Sequence, residues 1–122
     1  MNKKISKLIF LTITVILSTV VFSCDKNNIE NKETLKKLYE IYKDGVIDEC
    51  KYNGRTVYCA GLNAYDAGSI VYDKDGNQIG DCNYAWGNVD PICAQLTNCK
   101  TIYRVKNNIW GEPAVDKYRL GQ

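Results

Sequence analysis

Six cysteines and no histidine in 122 residues set the tightest limit on what this chain can become. Cys24 stands alone behind an apolar run, and Cys50, Cys59, Cys82, Cys93 and Cys99 are spread through the folding region. A domain of about 100 residues buries only a modest core, so outside the cytoplasm such cysteine density reads as covalent stapling. Five cysteines cannot all pair within one chain, and two bridges with one free thiol are expected. The missing histidine removes the Ser-His-acid and Cys-His catalytic arrangements and every His-ligated metal site.

The N-terminus supplies the compartment. Lys3, Lys4 and Lys7 precede an apolar run over residues 8–22. Its 15 residues are fewer than the roughly 20 that span a bilayer as a helix. Ser23 and Cys24 follow, and then the chain turns polar through Asp25-Lys26-Asn27-Asn28. Val21-Phe22-Ser23-Cys24 resembles the lipobox of a bacterial prolipoprotein of the Bacteroidota type, with Phe22 where a small residue is usual. That resemblance implies removal of residues 1–23, a diacylglycerol on the Cys24 thiol and a further acyl chain on its amine. Two or more acyl chains are what stable anchoring requires. The expected location is the cell envelope, anchored by lipid to the outer membrane on a face the sequence leaves open. The covalent lipid is the one prosthetic group expected. Without Lys3, Lys4 and Lys7, 13 Lys+Arg face 14 Asp+Glu, a net charge of −1. No nucleic-acid partner is expected from that balance.

Residues 24–31 read as a solvated tether, 32–112 as a single domain and 113–122 as a tail. Leu35, Leu38, Tyr39 and Tyr42 form one apolar stripe at helical spacing, while Lys36, Lys37, Glu40 and Lys43 face water. Gly45 is placed to stop that helix in the left-handed conformation. The period then becomes two. Strands are expected over residues 46–52 and 55–60 about Asn53-Gly54, over 69–73 and 78–82 about Asp75-Gly76, and over 101–105. Asp90-Pro91 suits the start of a short helix over 91–96, and Trp110 is expected to pin the tail. The fold class is α+β: one N-terminal helix on a four- to five-stranded antiparallel sheet, stapled by disulfides.

Pairing of the cysteines depends on hairpin register. A two-residue Asn53-Gly54 turn sets Cys50 opposite Val57, with Cys59 only diagonal to it, whereas a Gly54-Arg55 turn sets Cys50 opposite Cys59. Cys50–Cys59 is the favoured first bridge, with a second among Cys82, Cys93 and Cys99. The alternative use of those last three is thiol redox chemistry or metal handling, although they lack a Cys-x-x-Cys pair. Asp73-Lys74-Asp75-Gly76-Asn77 opens like a calcium loop, but Gln78 and Tyr84 stand where its glycine and glutamate belong. Asp73, Asp75 and Asn77 therefore read first as a hairpin turn and only secondarily as a weak cation site.

Nine tyrosines and two tryptophans are the remaining unusual feature. Tyr and Trp serve sheet packing as readily as recognition. Tyr65, Tyr84 and Trp86, in Gly/Asn-rich stretches, are the candidates for contact with a partner. The run Tyr52-Asn53-Gly54-Arg55-Thr56-Val57-Tyr58, then Tyr72-Asp73-Lys74-Asp75-Gly76-Asn77, then Ile109-Trp110, is similar to small Bacteroidota lipoproteins over residues 46–111. The adjacent cysteine pair often found before their third strand is missing here. The resemblance implies an anchored small domain and no catalytic residues. The expected function is a non-catalytic module that binds a protein or a glycan. The intact mass of the protein taken from its native membranes should begin at Cys24 and carry acyl chains; an unacylated chain would remove the anchor.

Overall fold

A computed structural model describes residues 29–122. Residues 1–28, with the expected signal peptide, Cys24 and most of the expected tether, lie outside these described residues. Helix α1 spans Lys32–Tyr42 and buries Thr34, Leu35, Leu38 and Tyr42. Its first turn has no side-chain cap. Asn31, in the left-handed region, instead donates from Nδ2 to the Tyr58 hydroxyl at 3.0 Å and fixes the helix start onto the sheet.

The strands are β1 (Val46–Tyr52), β2 (Arg55–Gly61), β3 (Ile70–Tyr72), β4 (Gln78–Asn83), β5 (Asn88–Val89), β6 (Thr97–Arg104) and β7 (Val115–Asp116). Six of them form one antiparallel sheet in the order β4-β3-β2-β1-β6-β7, and the two-residue β5 extends it along β4. The expected four to five strands were too few. β7 holds only two residues and offers no alternation to read. Asn53 and Gly54 both take positive φ, 48° and 73°, as a tight two-residue hairpin turn needs. This turn sets Cys50 opposite Val57 and Cys59 opposite Asp48.

Period-two alternation then sorts the side chains between two faces. On one face α1 closes over Ile47, Tyr58, Ala60, Ile102 and Tyr103. The second face carries its own cluster of Cys50, Val57, Val71 and Cys82 under Ile92. Ile92 comes from a 3-10 turn, Pro91–Ala94, where a short helix to residue 96 was expected. Asp90 precedes the turn without capping it. Its Oδ2 accepts from the Asp81 backbone N–H at 2.8 Å and ties the turn to β4.

The C-terminal segment is also not a loose tail. Lys117 donates its backbone N–H to the Ile102 carbonyl, and the Asp116 carboxylate accepts from the N–H groups of Leu120 and Gly121. Tyr118 and Leu120 pack against the helix-side core, and the Tyr118 hydroxyl donates to Glu49. These contacts hold the end of the chain, while Trp110, expected to pin it, is 41% exposed.

Gly45 also has a different role from the one expected. Lys43 ends the helix in right-handed geometry, and Gly45 is buried where a Cβ would overlap the Gly61 carbonyl oxygen. Gly45→Ala should therefore destabilise the fold by about 2 kcal/mol, read by urea unfolding, because backbone rather than a flexible side chain must move.

Candidate binding surface

An antiparallel sheet sends alternate connections to opposite ends. The loops β2–β3 (residues 62–69), β4–β5 (84–87) and β6–β7 (105–114) share one end, and side-chain amides tie them together. Asn83 Nδ2 donates to the Asp66 carbonyl at 3.3 Å, and its Oδ1 accepts from the Trp86 backbone N–H at 3.2 Å. Asn63 Oδ1 accepts from the Ile109 N–H at 2.8 Å. Asn108 holds its own loop, donating to the Val105 and Glu112 carbonyls.

Large apolar side chains project from this frame. Tyr65 is 86% exposed, and Tyr84 and Trp86 are each 70% exposed. Leu62 on the β2–β3 loop and Trp110 on the β6–β7 loop share this end, each about half exposed. The structure thus places all three predicted aromatics at one end and adds two residues that the sequence reading did not assign to contact. Counting alternate connections along the strand order would have found them.

The remaining aromatics divide differently. Tyr58 is fully buried, and the Tyr42 and Tyr72 hydroxyls lie 2.7 Å apart on the helix side. Burial is the main cause that pushes the Tyr42 and Tyr58 phenols above their ordinary range.

The bridges are Cys50–Cys99 and Cys82–Cys93, which leaves Cys59 as the free thiol among the described residues. Cys50 does not pair with Cys59, the favoured arrangement from sequence, because the hairpin register makes the two diagonal. Its partner comes from the other side of β1. Strand β6 begins at Thr97, and a bulge about Asn98 (φ 51°) brings the Cys99 Cα to 4.0 Å from that of Cys50. Cys82, Cys93 and Cys99 consequently do not gather into one thiol cluster. Cys93 crosses to β4, and Cys99 crosses to β1.

The remaining candidates are Asp73, Asp75 and Asn77. Asp73 Oδ1 accepts from the backbone N–H groups of Asp75 and Asn77, both at 2.9 Å, and Oδ2 accepts from Asn77 Nδ2 at 3.1 Å. These bonds, the Asn77 backbone bond foremost, hold the Asp73 carboxyl below its ordinary range. A carboxyl held low stabilises the turn above the ordinary carboxylate range, and that contribution is lost as pH falls through the lowered value. Asp75 pairs with Lys74 at 3.1 Å. The three residues are thus engaged in building the β3–β4 turn.

No protein-family model matches the chain, and comparison with curated protein sequences and with solved structures finds no similar protein.

Half-buried Cys59 has its thiol pushed above the usual range, chiefly by burial, with a hydrogen bond to Ser69 opposing the shift. A protonated thiol is a poor nucleophile. Native protein at neutral pH should take up alkylating reagent slowly. Denatured but unreduced protein carrying Cys24→Ser should take up one equivalent, mapped to Cys59. Labelling at Cys93 or Cys99 in that sample would overturn the pairing.

Proposed function

We propose that the chain is a lipid-anchored, non-catalytic module of the cell envelope, tethered to the outer membrane through Cys24, that binds a protein or glycan with its aromatic loop end. The observation that carries this reading is the exposure of Tyr65, Tyr84 and Trp86 on loops held together at one end of the sheet. Amphipathic aromatic rings supply large contact area at small conformational cost, and the surrounding amides offer directional hydrogen bonds.

The path of the chain supports the same reading. Helix α1 starts at the other end of the sheet, where Thr34 Oγ1 donates to the Lys74 carbonyl at 2.7 Å. Chain coming from Cys24 therefore enters beside the β1–β2 and β3–β4 turns. Strand β1 is seven residues long, so roughly 23 Å of sheet separates that entry from the aromatic loops. On a lipid anchor the aromatic end points away from the bilayer.

The test compares the mature chain with a Tyr65→Ala, Tyr84→Ala, Trp86→Ala variant in retaining envelope proteins and envelope glycans. All three side chains are exposed, so the melting temperature should stay unchanged while retention falls at least about tenfold. Equal retention by both proteins, or retention of neither ligand class by the wild type, would remove the proposed surface.

A further inference from the structure

The opposite end of the sheet carries a second surface. Strand β2 continues for three residues, Arg55 to Val57, past its last pairing with β3 at Tyr58↔Tyr72. The β1–β2 and β3–β4 hairpins splay apart there and leave an open groove of about 840 Å³. Tyr52, Ile79 and Ile92 give it apolar walls, and Glu30, the second described residue of the chain, stands on its rim.

Most of the rim charges are already engaged. Lys74 pairs with Asp75, and the Asp73 oxygens hold the turn. Lys51 Nζ donates to Thr56 Oγ1 at 2.7 Å and keeps N–H groups to spare. Among the described residues, Arg55 and Glu30 have no ion-pair partner. The groove thus presents two cations without an ion-pair partner, Arg55 and Lys51, and the Glu30 carboxylate, likewise without one, above apolar walls. A ligand complementary to that arrangement carries a phosphate, an ammonium and an apolar body.

We infer that this groove seats the zwitterionic headgroup of a phospholipid at the bilayer surface, with phosphate on Arg55 and Lys51, ammonium toward Glu30, and the upper acyl region against Ile79 and Ile92. The inference rests on the lipid-anchor reading. Only residues 24–28 separate Cys24 from the start of the described chain, and five residues reach at most about 18 Å. The groove end is therefore the end held at the headgroups. A single headgroup site binds weakly, but a tether this short supplies a local concentration on the order of millimolar without further contacts. Cationic Lys51, Arg55 and Lys74 balance anionic Glu30, Asp73 and Asp75 around the groove and leave little net field, so a purely anionic lipid gains less than one that satisfies both signs.

The experiment uses the mature chain from residue 24 carrying Cys24→Ser, so that no acyl chain contributes, and follows backbone amide shifts by NMR. The probe is dihexanoyl phosphatidylethanolamine below its micelle concentration. Shifts are expected at Tyr52, Arg55 and Ile79 but not at Trp86. Arg55→Gln, at an exposed hairpin position, should weaken binding about tenfold without changing the melting temperature. Dihexanoyl phosphatidylglycerol and glycerophosphoethanolamine should each bind at least about fivefold more weakly. No shifts at millimolar probe, shifts only at Trp86, or an unaffected Arg55→Gln variant would overturn the site. Equal binding of glycerophosphoethanolamine would make the ligand a free zwitterion and overturn the bilayer assignment. Acyl mass on Cys24 reads the anchor separately: acyl mass without shifts overturns the groove alone, and shifts without acyl mass overturn the anchor and with it the bilayer source.

Discussion

Strand β1 lies between β2 and β6, and the Cys50–Cys99 bridge locks the second of those pairings. The β1–β2 hairpin needs only a two-residue turn, so its closure is local. The β1–β6 pairing joins segments 49 residues apart. Closing a loop of that length before its contacts form costs conformational entropy, and a covalent link lowers that cost by about 4 kcal/mol on the chain-entropy account. The rest of the fold depends on this pairing. Strand β7 adds to β6, Lys117 bonds to Ile102 within β6, and the strap carrying Tyr118 and Leu120 then reaches the helix-side core. Without β6 beside β1, that core loses the wall formed by Ile102 and Tyr103.

The bridge also explains which parts of the fold could be read from sequence. Helix α1 follows from a four-residue apolar stripe, and β1–β2 follows from alternation about Asn-Gly, since each signal is local and repeated. The β3–β4 turn is legible for the same reason: the Asp73 carboxylate accepts from the backbone N–H and the side-chain amide of Asn77 within the same five residues. The first half of β6 carries no comparable signal. Thr97, Asn98, Cys99 and Lys100 are all exposed, so no apolar alternation marks them as strand. They are held by ladder bonds to β1 and by the disulfide, both of which depend on a segment far away in sequence. With a strand expected only from residue 101, Cys99 reads as a loop cysteine and groups with Cys82 and Cys93.

A similar limit applies to the second sheet face and the chain end. Ile92 sits in a four-residue 3-10 turn and Leu120 in a short terminal segment after Tyr118; neither creates a periodicity. Each matters because the sheet puts a complementary hollow beneath it, Val71 and Gly80 under Ile92 and the α1–β6 cleft under Leu120. Tyr65, Tyr84 and Trp86 were visible as candidates from their Gly/Asn-rich neighbourhoods. Their arrival at one end is a property of the antiparallel order, and so are the contributions of Leu62 and Trp110.

The stapled core and the exposed aromatic end belong to one physical arrangement. A chain of this size cannot both bury its large side chains sparingly and stay folded on hydrophobic burial alone. Two disulfides transfer part of the stabilisation from burial to restriction of the unfolded chain. Each lies on the sheet face away from α1, and Cys50 and Cys82 themselves fill that face as buried apolar groups. The folded state therefore does not draw on Tyr65, Tyr84 or Trp86, whose exposure of 70% or more leaves them little part in packing. Amides of Asn63, Asn83 and Asn108 hold the loops that present these side chains, so the frame is set by backbone-directed hydrogen bonds and the contact surface by rings outside the core. Substitution at the ring positions can consequently alter what the loops bind without altering what holds them.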